Sequence, residues 1–146
     1  VERLSKLAKD NGVQVLEADM YDMSGALRCD ATGWKIYINR QDSSTRQVFT
    51  LAHELGHYFL HAEEGEEFVD GEFVMNRDDD TKYRKEEMEA NEFAGNLMMP
   101  EGLIRKRVKE QTPSDGAVLE LASLFQVSPL AMAIRLRSLG YEPSNS

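Results

Sequence analysis

All three histidines of the chain fall within nine residues, His53-Glu54-Leu55-Gly56-His57-Tyr58-Phe59-Leu60-His61. Apolar residues recur at helical spacing through Val48, Phe49, Leu51, Ala52, Leu55, Phe59 and Leu60 up to Gly65, and the pair Ser44 and Gln47 reads as a capping box. Together these predict one helix of about five turns. His53 and His57 then lie one turn apart on the same face, with Cβ atoms about 6 Å apart, so both imidazoles can grip one divalent ion. Glu54, next along, is poorly placed to share that coordination. It is well placed beside an open position, where a water needs a base. Few features restrict a fold more, because the rest of the chain must cover that helix face and finish the coordination.

A catalytic zinc takes three protein ligands and keeps one position open. His61 is eight residues beyond His53, about 12 Å of helical rise, and one ion cannot reach both. Six residues after His57 the chain has Glu63, not histidine, and Cys29 is the single thiol. The third ligand is therefore expected to be a carboxylate. Its best source is a second helix over residues 82–98, whose apolar stripe is Ala90, Phe93, Ala94, Leu97 and Met98 and which Pro100 closes. Glu89 projects away from that stripe and is expected to meet water, whereas Glu86 and Glu87 flank it equally. Asn91 favours Glu87: it sits one turn later and could accept a hydrogen bond from the free ring N–H of a ligating histidine.

The remaining chain supplies the frame. Val1, Leu4 and Leu7 before Asn11-Gly12 read as a short amphipathic helix. Residues 13–20, 25–29 and 34–39 are short, β-branched or aromatic runs separated by Ser24-Gly25 and Thr32-Gly33, which predicts a small antiparallel meander. WKIYIN, at 34–39, is weighed as an edge that pairs with an extended peptide and, against that, as a packed inner strand. Thr112-Pro113 and Ser128-Pro129 look like starts of two further helices. The expected fold class is α+β, a small sheet packed on the histidine helix with more helices toward the C-terminus. At 146 residues with 41% hydrophobic content the chain fits one domain with one core: a catalytic part over 1–100, helices over 101–140 and a tail over 141–146.

Charge argues against a nucleic-acid surface. The net charge is -9, and residues 63–80 hold nine acids against Arg77 alone, which reads as a solvated loop that includes a small hairpin at 68–75. Residues 101–146 carry six bases and five acids, far from a basic stripe. No run approaches the roughly 18 apolar residues of a membrane span, and the polar start VERLSKLAKDNG is unlike a signal peptide. A single cysteine fits a reducing cytoplasm. Because the chain opens on Val1 rather than Met, a removed upstream segment is an open expectation.

HELGHYFLH, preceded by RQVFTLA and followed after the acidic insert by EMEANEFAGNLMMP, resembles the ImmA/IrrE-type metallopeptidases, zinc proteases of the HExxH-plus-Glu group. The resemblance extends through LASLFQVSPLAMAIRLRSLG and covers roughly residues 35–140. It implies a zincin-like fold, one Zn²⁺ per chain held by His53, His57 and Glu87, and Glu54 as general base. It also implies a protein substrate, a helix-turn-helix repressor or antitoxin whose cleavage relieves repression. Tyr83, Tyr58 and His61 are the candidates for the oxyanion or for substrate contact. Arg46 reads as a structural ion pair. The rival reading is a non-proteolytic module that binds a repressor partner or DNA through its C-terminal helix pair, with Arg135 and Arg137 on the second helix.

Overall fold

A computed structural model describes residues 2–62, 67–69 and 80–143. Helix α1, Glu2–Asp10, buries Leu4 and Ala8 and ends at Gly12, whose φ of +77° turns the chain at no steric cost. Strands β1 (Gln14–Ala18), β2 (Gly25–Asp30) and β3 (Gly33–Asn39) follow. β2 and β3 form the expected hairpin, with Leu27 opposite Ile36, both fully buried. Its turn is pinned by Asp30, which accepts from the Thr32 backbone at 2.8 Å and from Lys35 Nζ at 2.7 Å. Lys35 and then Thr32 hold the Asp30 carboxyl well below the usual carboxylate range.

The sheet is mixed rather than wholly antiparallel. β1 pairs with β3 in parallel, Val15 opposite Ile36, and the strand order is β1-β3-β2-β4, where β4 is Glu67–Val69. Gly25 is therefore no hairpin turn. It is the first residue of β2, reached by a connection that skips past β3. β3 is an inner strand between β1 and β2, which removes WKIYIN as a free edge. The hairpin expected over 68–75 lies outside the described residues, apart from the backbone of β4.

Helix α2, Ser44–His61, matches the expected five turns, but its N-cap is Ser43, whose side chain accepts from the Arg46 backbone. Gln47 closes no capping box; its amide donates to the Asn39 carbonyl at 3.1 Å. Buried Asn39 also donates to Met23 O and accepts from Gln41 N, which ties the end of β3 to the start of α2. Arg46 bonds Ser24 at 2.8 Å and Asp42 at 3.4 Å, the structural ion pair expected of it. α2 packs on β2 and β3, burying Val48, Leu51, Ala52 and Leu55. Helix α3 spans Asp80–Met98.

The chain divides into two compact units, 1–94 and 95–146. The second holds α4 (Glu101–Arg107), α5 (Asp115–Phe125) and α6 (Pro129–Ser138). α4 is short, and its apolar spacing did not separate it from its surroundings in the sequence. α6 starts as expected, with Ser128 capping and Pro129 in the first turn. α5 is capped by Ser114, so Pro113 precedes the cap and is buried. Gln126, at φ 59°, ends α5 in the left-handed region, and α5 and α6 meet at 104°, the angle range of a helix-turn-helix. Among the described residues no single helix is long and apolar enough to cross a membrane.

Candidate metal centre

Placing imidazoles and carboxylates inside a protein costs free energy unless each finds a partner. α2 nevertheless buries His53, Glu54, His57 and His61, with relative exposures of 6%, 0%, 1% and 3%. The i,i+4 spacing stacks His53 and His57 with ring centroids 4.8 Å apart and planes at 89°. Glu87 of α3 meets both: Oε1 lies 3.3 Å from His53 Nε2, and Oε2 lies 2.6 Å from His57 Nε2. One ligand atom from each of His53, His57 and Glu87 lies within 4.8 Å of the others.

This set fits a zinc ion. Two imidazole nitrogens and one carboxylate oxygen are donors of the type zinc accepts, and three protein donors leave room for a fourth partner. His53 and His57 are buried and Glu87 is partly buried.

The close approach of the two helices depends on Gly56, the central residue of the histidine motif. A Cβ built there would sit 3.1 Å from the Cα and O of Ala90 and 3.2 Å from Cβ of Phe93. Gly56 and Ala90 thus let α2 and α3 touch backbone to backbone, and Glu87, one turn before Ala90, is carried to the histidines. Gly25 has a matching role on the sheet side. A Cβ there would meet Thr50 Cγ2 and lie 3.4 Å from Glu54 Oε2, so this strand start brings bare backbone up to the buried Glu54 carboxylate. The sequence marks Gly25 only as a turn signal and Gly56 only as part of the histidine motif, although a glycine inside an amphipathic helix is itself a visible signal.

The other residues weighed from the sequence make contacts of their own. Glu86, left equal to Glu87 by periodicity, is buried at 4% exposure and is not one of the three converging donors. Asn91, expected to back a ligating ring, is solvent-exposed. Its place on His57 is taken by His61, whose Nδ1 lies 3.1 Å from His57 Nδ1. Glu89, expected to meet water, is half-exposed and also lies 2.9 Å from His61 Nε2. Tyr58 donates its hydroxyl to the Asn11 carbonyl at 3.1 Å and sets its ring edge-on to Trp34. Tyr83 packs with Met23 and Tyr37 on Met20 and Ala26.

The comparisons with known proteins agree with this geometry. The family model of the IrrE N-terminal-like domain, Peptidase M78, matches residues 8–137. An uncharacterized immunity region protein 2 of Bacillus phage phi105 is 30% identical over 116 residues, 75% of this chain and 70% of that protein. The match takes in the sheet, both helices of the histidine–glutamate cluster and nearly all of the C-terminal helices, and on that extent the chain belongs to the Peptidase M78 family.

Proposed function

We propose that this protein is a zinc-dependent endopeptidase that cuts a helix-turn-helix repressor or antitoxin and so relieves repression. The observation that carries the reading is the convergence of His53, His57 and Glu87 beside a buried Glu54. When bound, zinc supplies a Lewis acid that polarises the scissile carbonyl and makes water more acidic. His53 and His57 offer Nε2 to it, and Glu87 offers a carboxylate oxygen. Glu54 takes a proton from the attacking water at its carboxylate and returns it to the leaving amine nitrogen.

Membership of a peptidase family and likeness to an immunity region protein of a phage both favour a regulatory protein as substrate. Against the rival reading, docking DNA through α5 and α6, Arg135 Nε is turned to the Met99 carbonyl at 2.9 Å. The test is to ask whether a neighbouring gene encodes a small helix-turn-helix protein and to co-express any such protein with this one. The wild type should make that protein disappear. Glu54→Gln should keep one zinc per chain yet slow cleavage by about 10²–10⁴-fold; an unchanged rate would remove Glu54 as base.

A further inference from the structure

His57 and Glu87 account for one end of a longer chain of polar contacts. From Glu87 Oε2 it runs 2.6 Å to His57 Nε2, then from His57 Nδ1 3.1 Å to His61 Nδ1, then from His61 Nε2 2.9 Å to Glu89 Oε1. Both rings are buried. We propose that His61 and Glu89 are positioning residues that fix the tautomer and orientation of His57, so that its Nε2 is presented as a lone pair to the metal. The inference rests on the metal-site reading above.

The direction of the chain follows from counting protons once a metal is placed at the Glu87 end, the only end where a lone pair facing a carboxylate is then satisfied. A carboxylate accepts only, so the ring nitrogen facing Glu89 must donate, and the His61 proton sits on Nε2. A neutral imidazole has one such proton, which leaves His61 Nδ1 as an acceptor. The facing His57 Nδ1 must then carry its own ring's proton, because two acceptors at 3.1 Å would repel. His57 Nε2 is left with its lone pair on the side of Glu87, where the two groups would together hold the proposed metal. The reverse order would set a lone pair of His61 against the Glu89 carboxylate. A histidine relay ending in a carboxylate is thus built behind one ligand, which keeps the ring from turning or taking the other tautomer before the ion arrives.

The geometry explains an otherwise costly choice. His61 is too far along α2 to bind the same ion as His53, yet it is kept buried and polar where a leucine would pack at less cost. It differs from a histidine satisfied by the backbone in that both its ring nitrogens are engaged by side chains of the cluster.

The experiment is a zinc titration against a competing chelator at fixed pH on three purified variants, with the histidine tautomers read by ¹H–¹⁵N correlation in the zinc-loaded wild type. His61→Leu fills the space without an acceptor and should weaken zinc binding about 10–100-fold. His61→Asn, whose side-chain oxygen falls near the Nδ1 position, should recover most of that loss. Glu89→Ala should fall between the wild type and His61→Leu. The spectrum should show His57 protonated on Nδ1 and His61 on Nε2. Wild-type affinity in His61→Leu, absence of rescue by His61→Asn, or a His61 proton on Nδ1 would overturn the inference while leaving the metal site standing. A wild type that takes up no zinc would overturn both.

Discussion

Among the described residues, every side chain that is both polar or charged and buried lies before residue 95: Asn39, Thr50, His53, Glu54, His57, His61 and Glu86. The second unit shows the opposite pattern. It buries Met132 and Leu136 completely and leaves Leu119, Leu124, Leu130 and Ile134 more than half exposed. A buried polar group without partners costs about 1–3 kcal/mol, more if charged, so a cluster of them persists only where the groups satisfy one another or serve a ligand. An exposed leucine costs little and needs no such account. The first unit thus holds its chemistry at the expense of packing, and the second is held by apolar contacts around a helix pair.

That contrast can be broken or sharpened by substitution. The largest effect is expected in the polar cluster: His53→Ala should lower zinc affinity by more than about 100-fold, beyond the loss typical of a residue that only supports a ligand. Metal analysis after dialysis checks it, and stoichiometric zinc in the variant would remove His53 from the site. Next comes the apolar core of the second unit, where Leu136→Ala should cost about 2–5 kcal/mol in denaturant unfolding while zinc affinity stays unchanged. Gly56→Ala should cost about 1–3 kcal/mol, because the added methyl meets the Ala90 backbone. It should also weaken zinc binding by moving Glu87 away. The smallest effect belongs to the exposed surface: Ile134→Ala should stay within about 0.5 kcal/mol of wild type and leave zinc binding alone. Were Ile134→Ala as damaging as Leu136→Ala, the two kinds of apolar residue would not differ as their exposures imply.

The metal site was readable in the sequence to the extent that it is local. The i,i+4 spacing of His53 and His57 follows from helix geometry alone, and the absence of other histidines left a carboxylate as the third ligand. Glu87 was favoured over Glu86 on the strength of Asn91, yet Asn91 faces solvent. What brings Glu87 in is the Gly56–Ala90 approach, a contact between helices that no spacing within one helix reports. Glu89, two residues from Glu87, belongs to another side of α3 by periodicity, and only its long side chain lets it reach His61. In the sheet, run lengths and turn residues located the three strands, but pairing partners are non-local, and β1 skipped its neighbour in sequence to lie parallel to β3. In α5 and α6 the apolar residues Leu119, Leu121, Leu124, Phe125, Leu130, Met132, Ile134 and Leu136 are all candidates for a core by residue type, yet Leu119, Leu124, Leu130 and Ile134 are more than half exposed. Periodicity names candidates for burial, and the crossing of the helices selects among them.

The order of residues along one helix determined two imidazoles on a common face with a carboxylate beside them, because backbone hydrogen bonding sets that geometry without help from the rest of the chain. Which acid completes the set, which histidine stands behind it and which strand starts at Glu54 were decided by packing between elements. There, distances of a few tenths of an ångström depend on atoms far apart in sequence.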